Sequence, residues 1–150
     1  MAIAVNLVNW LITRSVPPRT LPRLDFHKGI PAEYRTMVVI PALLINTREI
    51  KSLSHQLELY FLGNADSHLT FASLADFADA PQKDMPSDGV LLESLKAGIQ
   101  ALNEKYGRGA AGPFYLFHRE REWNPRENCW MGWERKWGKL AEFIFLFHNE

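Results

Sequence analysis

The chain has 150 residues, 47% hydrophobic and 23% charged, with no formal net charge at neutral pH. This is the size and composition of one globular domain and excludes a disordered chain. Zero net charge excludes a global field that would draw in nucleic acid or an anionic membrane, so any anion site must rest on local clustering. Cys129 is the only cysteine, which excludes an internal disulfide and a cysteine-built metal centre and fits a reducing compartment.

Residues 1–15 open with the apolar run Met1–Ile12, interrupted by Asn6 and Asn9. It is shorter than the roughly twenty residues a membrane span needs. No charged segment precedes it and no small-residue cleavage site follows, so a secretory signal is not expected. Three readings stand: a buried helix, an interfacial helix, or the end of a longer membrane helix. Trp10, followed by Arg14, Arg19 and Arg23, suits the last two, because aromatic rings favour the interface and positive flanks the cytoplasmic side. Residues 16–35 read as a linker, where Pro17, Pro18, Pro22, Gly29 and Pro31 block regular structure. It is either a stiff basic spacer or an arm packed on the domain.

An α/β domain is expected over 36–150. Met37–Ile40 is a continuous apolar run, the pattern of a strand buried on both faces, with Pro41 closing it. Ile50, Leu53, Leu57, Tyr60 and Phe61 fall at helical spacing up to Gly63 and Asn64. A second strand is expected over His68–Leu74, running into a turn over Ala75–Pro81. Ser87 or Asp88 can cap a helix carrying Leu91, Leu95, Ile99 and Leu102, which Gly107 ends. After a loop over Gly109–Pro113, Phe114–His118 reads as a third strand. Trp130, Trp133 and Trp137 recur at i, i+3 and i+7 and so share one face of a final helix, with Arg135 and Lys139 on another. That helix is expected to bury its indoles and turn its cations outward. It is either an aromatic stripe with a salt-bridged solvent face, or a docking surface for an anion such as the diphosphate of a nucleotide-sugar. The order β-α-β-α-β-α, with crossovers long enough for parallel pairing, predicts a three-layer α/β/α sheet.

Ligands of such sheets bind beyond the carboxyl ends of the strands. Pro41–Glu49, Asp76–Pro81 and His118–Pro125 lie there. No G-x-G-x-x-G follows the first strand, and no P-loop or G-x-S-x-G string occurs. The five histidines are scattered without an H-x-x-x-H pair, so no zinc site is expected. Asp76 and Asp79 can accept hydrogen bonds from a nucleobase or ribose, and Asp79 can equally serve the turn itself. Thr47 and Arg48 sit where a loop meets a helix N-terminus, an anion-facing place, although Arg48 also reads as a surface residue. His118, Arg119 and Arg121 leave the third strand toward the same edge, although Arg119 with Glu120 and Arg121 with Glu122 can equally neutralise one another on the surface.

The strings VNWLITRSVPPRTLPRLDFHKGIPAEYRTMVVIPALL, SLADFADAP and FHREREWNPRENCWMGWERKWGKL resemble the cyclic β-1,2-glucan synthases, in that order, from Asn9 to about Leu140. The resemblance implies the junction between a membrane helix and a GT-A-like glucosyltransferase domain. That domain would lie on the cytoplasmic face of a bacterial inner membrane, with membrane contact through residues 1–15. It implies UDP-glucose as donor and Mg²⁺ or Mn²⁺ as cofactor of the complete enzyme. Asp76 and Asp79 would lie against uracil or ribose. Arg135, Gly138 and Lys139 would approach the diphosphate, with Gly138 allowing close backbone approach. The sequence departs from the family after Leu140, and no Asp-x-Asp occurs anywhere in it. The expectation is therefore a piece of the donor-nucleotide half that binds no metal by itself, is completed by a missing downstream half, and does not transfer glucose when isolated. The alternatives are a non-catalytic binding or assembly module and a degraded reading frame.

Overall fold

The computed structural model describes residues 2–15, 27, 29–64, 66–107, 112–132 and 135–148. Its elements in order are α1 (Ala2–Ser15), a 3₁₀ turn (Ala32–Tyr34), β1 (Thr36–Leu44), α2 (Thr47–Gly63), β2 (Leu69–Phe77), α3 (Asp88–Tyr106), β3 (Phe114–Arg119), β4 (Glu122–Asn124), β5 (Cys129–Met131) and α4 (Arg135–His148). The strands β1, β2 and β3 form a parallel sheet in that spatial order.

When successive right-handed crossovers step in one direction, their helices fall on one face of the sheet. The core obeys this rule. Alternate residues of β1 (Ile40, Leu44), β2 (Phe71, Ala75) and β3 (Phe114, Leu116) pack against Ile50, Leu53 and Leu57 of α2 and Leu91, Leu95, Ile99 and Leu102 of α3. Asn46 caps α2 reciprocally with Glu49: its Oδ1 accepts the Glu49 backbone N–H at 2.9 Å, and its Nδ2 donates to Glu49 Oε1 at 3.1 Å.

The opposite face is covered only in part. There α4 packs at the carboxyl end of the strands, with Phe143 edge-on to Phe117 at 5.0 Å. The expected third layer is thus α4 alone, and β1 is half-buried rather than buried on both faces, with Leu43 half exposed. Pro41 does not close β1; it sits inside the strand opposite Leu74. That position is tolerated because β1 is an edge strand, where one missing N–H costs no ladder bond. The expected turn after Leu74 begins later, since Ala75, Asp76 and Phe77 are the last residues of β2.

The largest departure from the sequence reading is at the tryptophans. Trp130 lies on β5, not on a helix, opposite Trp123 of β4 in an antiparallel hairpin with ring centroids 5.8 Å apart. Trp133 lies outside the described residues. Because α4 starts at Arg135, Lys139 and Phe143, one turn apart, face the sheet. Trp137 is rotated roughly 200° away from Lys139. Trp137 is accordingly 79% exposed and Lys139 only 4%, the reverse of the expected arrangement.

Among the described residues no helix is long and apolar enough to cross a membrane. The described side chains of α1 are all exposed, including Val5, Leu7, Trp10 and Ile12, so burial within this chain is not its role. Most of the expected linker, 16–26 and 28, lies outside the described residues. Its end is pinned to the domain: Ile30 N–H donates to Asp66 Oδ2 at 2.8 Å, and Ile30 O accepts from His68 Nδ1 at 2.6 Å.

Candidate functional site

Beyond the carboxyl ends of β1 and β2 lies a cleft of about 610 Å³. The strands contribute Pro41, Ala42, Leu43, Asp76 and Phe77; the following turn gives Ala78 and Asp79; Glu49, Gly132, Lys136 and Lys139 complete the lining. A second depression, of about 580 Å³, lies between α3 and β3 and contains none of the sequence-predicted residues. Its cation, Lys96, is paired with Glu93, so the first cleft is the better candidate.

The cleft floor is a buried charge cluster. Asp76 is 2% exposed, and its register partner on β3 is Arg119. The guanidinium grips the carboxylate with two bonds, Nε to Oδ1 at 3.3 Å and Nη2 to Oδ2 at 3.0 Å. Lys139 Nζ adds a contact to Oδ2 at 3.0 Å and donates to Ala42 O at 3.1 Å. Arg119 Nη1 also reaches Glu142 Oε1 on α4 at 2.9 Å. Burial opposes the Arg119 charge, but its carboxylate partners prevail and raise its pKa. Gly132 passes close by: a Cβ there would lie 2.7 Å from Asp76 Oδ2 and 2.9 Å from Arg119 Nη2.

The rim is fixed by a second buried arginine. Arg121 is 4% exposed and donates to the carbonyls of Ala78 (2.6 Å) and Lys83 (2.9 Å) and to both oxygens of Asp88 at the start of α3. Hydrogen bonding from Arg121 holds the Asp88 carboxyl below the usual carboxylate range, against its burial. Backbone bonds between Ala80 and Trp130, both 2.9 Å, tie the same turn to β5. The expected surface pairs are therefore not formed. Arg119 belongs to Asp76 and Glu142, Arg121 to Asp88, and Glu120 to Lys83 at 2.8 Å. Glu120 and Arg121 lie between β3 and β4, outside either strand, and each takes a partner from elsewhere in the chain. His118 packs on Phe77 with its Nδ1–H directed at Ala75 O (3.1 Å), and burial lowers its pKa.

Asp76, Asp79 and Lys139 are brought together in the cleft. Thr47 and Arg48 are exposed on the first turn of α2, outside the lining, and that turn contributes Glu49 instead. Gly138 is buried beside Lys139 without lining the cleft. Arg135 opens α4, and its side chain lies outside the described residues. Glu49 and Gly132 in the lining were not singled out from the sequence, and Arg119 was placed at this edge without its partner Asp76. Lys136 was legible in the i, i+3 spacing to Lys139, whereas Arg119 needed the strand register. Among the described residues, Asp79, Glu127 and Cys129 form a grouping with ligand atoms within 4.8 Å of one another.

No protein-family model matches the chain. Over 147 residues, 98% of its length, the chain is 37% identical to the cyclic beta-(1,2)-glucan synthase NdvB of Rhizobium meliloti (strain 1021). It spans 5% of that protein. The resemblance carried by three strings thus extends over nearly the whole chain, and it is a resemblance to a short stretch of a much longer protein.

Proposed function

We propose that this chain is the donor-nucleotide part of a glucosyltransferase of GT-A-like fold, taking UDP-glucose for cyclic β-1,2-glucan synthesis. The supporting observation is the meeting of Asp76 and Lys139 at 3.0 Å on the floor of a cleft at the strands' carboxyl ends. An ionised carboxylate has about four acceptor positions. Arg119 and Lys139 take three of them at Asp76, leaving one for a uracil N–H or ribose hydroxyl. Lys136, exposed at the mouth, and Lys139, buried at the floor, bracket the place for a diphosphate.

The metal expected of the complete enzyme does not fit the grouping found among the described residues. A cysteine sulfur with the exposed carboxylates of Asp79 and Glu127 does not suit Mg²⁺, which prefers oxygen ligands in octahedral geometry. We therefore assign donor binding, without transfer, to this chain. Calorimetry with UDP tests it: binding that is lost in Asp76→Ala and Lys139→Met is expected, and no affinity for UDP or UDP-glucose would refute it. Labelled glucan formed from radiolabelled UDP-glucose by the chain alone would refute the absence of transfer. For α1, whose apolar side chains are exposed, we propose contact with the cytoplasmic face of a bacterial inner membrane. Flotation with anionic vesicles that does not depend on α1 would count against that contact.

A second reading, an assembly module, is favoured by the outer side of α4, where Trp137, Ile144 and Phe145 are all more than half exposed. A further polypeptide segment docking there is compatible with donor binding.

A further inference from the structure

We infer that Arg119 is a positioning residue that keeps the charge of Lys139 available to a bound diphosphate without touching the ligand itself. This rests on the reading of the cleft as a diphosphate site. Lys139 and Asp76 alone would cancel, and a neutralised pair attracts no anion. Arg119, 13% exposed at its side chain, supplies a second cation to Asp76, so that carboxylate is shared between two cations and does not cancel Lys139 alone. Glu142 also faces Arg119, but its side chain is 51% exposed and water screens it. Glu49 and Asp79, the other carboxylates of the lining, are exposed as well. Burial makes the inner count matter more than the outer one, since charges interact more strongly away from water. The two-bond grip of Arg119 on Asp76 also leaves Lys139 with a single contact to that carboxylate. An incoming phosphate therefore competes for Lys139 against a carboxylate already matched by Arg119.

The test is titration calorimetry of the full chain with inorganic pyrophosphate and with UDP at low ionic strength. Arg119→Gln is expected to weaken pyrophosphate binding about tenfold, and Arg119→Lys, which keeps the charge, to stay within about threefold of the wild type. Arg119→Gln combined with Asp76→Asn is expected to regain pyrophosphate affinity, because Lys139 is again uncancelled. Asp76→Asn alone is expected to bind pyrophosphate at least as tightly as the wild type while losing UDP. Either role would give that rescue, so the deciding readout is Asp76→Asn alone: it breaks the same buried pair, and a purely structural role would weaken pyrophosphate binding there. Wild-type affinity in a folded Arg119→Gln chain, or a double variant as weak as the single, would overturn the inference and leave the cleft reading standing. Should Arg119→Gln fail to fold, weakened pyrophosphate binding in Asp76→Asn would overturn it. A wild-type chain that binds neither pyrophosphate nor UDP would overturn the cleft reading, and the inference with it.

Discussion

Asp76 and Arg119 are direct register partners on neighbouring parallel strands, and the backbone of Gly132 closes over their ion pair. A glycine is needed there by space rather than by backbone angle. Asp76 is held from two sides and cannot retreat. Gly132→Ala would place its Cβ 2.7 Å from Asp76 Oδ2 and must displace the pair. The expected loss of stability is about 1–3 kcal/mol, as for other overpacked sites, with weakened UDP binding. Denaturant unfolding measures the first and calorimetry the second. A variant as stable as the wild type would show that the close approach is not there.

Arg121 serves a different purpose, clasping the turn after β2 to the start of α3. Arg121→Met would strand the buried Asp88 carboxylate and free the carbonyls of Ala78 and Lys83. Breaking a buried pair from one side costs about 3–5 kcal/mol. Arg121→Met with Asp88→Leu should recover part of that, because no charge is left unpaired. Thermal or denaturant unfolding of the single and double variants decides it, and a loss within the range of surface substitutions would contradict the clasp.

Among the groups with depressed pKa values, the buried or half-buried His118 and Asp88 shape the pH dependence most. His118 is lowered by burial, and Asp88 is lowered first by its hydrogen bond from Arg121. In each case the unfolded chain binds protons at a higher pH than the folded one, so stability rises with pH. The His118 contribution is complete above about pH 6.5 and is lost as pH falls through its lower folded value; that of Asp88 is complete above about pH 3.9 and is lost on further acidification. His118→Gln should flatten the upper slope and leave the lower one. At the alkaline end Lys105, raised to about 12 chiefly by its hydrogen bond to Glu58, contributes stability below about pH 10.4 that disappears as pH passes 12. Unfolding midpoints across this range read all three slopes.

Trp137→Gln should change stability by no more than about 0.5 kcal/mol, since the indole is 79% exposed. Phe143→Ala, which removes the ring lying against Phe117, should cost about 2 kcal/mol, less than a fully buried phenylalanine. Equal costs for the two would mean that α4 is turned the other way.

The helices of the domain were legible because periodicity is a local property. Ile50, Leu53 and Leu57, like Leu91, Leu95, Ile99 and Leu102, stand on one face whatever surrounds them, and they form the observed core. The site was legible only in part. Asp76, Asp79 and Lys139 do line one cleft, but the string around Trp130 looked helical because three tryptophans happened to fit a helical repeat. The antiparallel pairing of Trp123 with Trp130 satisfies the same residues in another way, with the turn at 125–128 between them. Charge pairing misled for a similar reason: adjacency along the chain suggested Arg119 with Glu120, whereas the fold brings Asp76 to Arg119 and Lys83 to Glu120.

The sequence by itself determined the alternation of strands and helices, the parallel order that follows from long crossovers, and the apolar faces of α2 and α3. Each of these depends on residues close together along the chain. Only the tertiary structure decided which side of α4 turns inward and which cations meet Asp76. Lys139 could be buried and Trp137 exposed only because a carboxylate on β2, already matched by an arginine on β3, stood ready to receive an ammonium group out of water. That partner comes from a distant stretch of chain, and no local spacing records it.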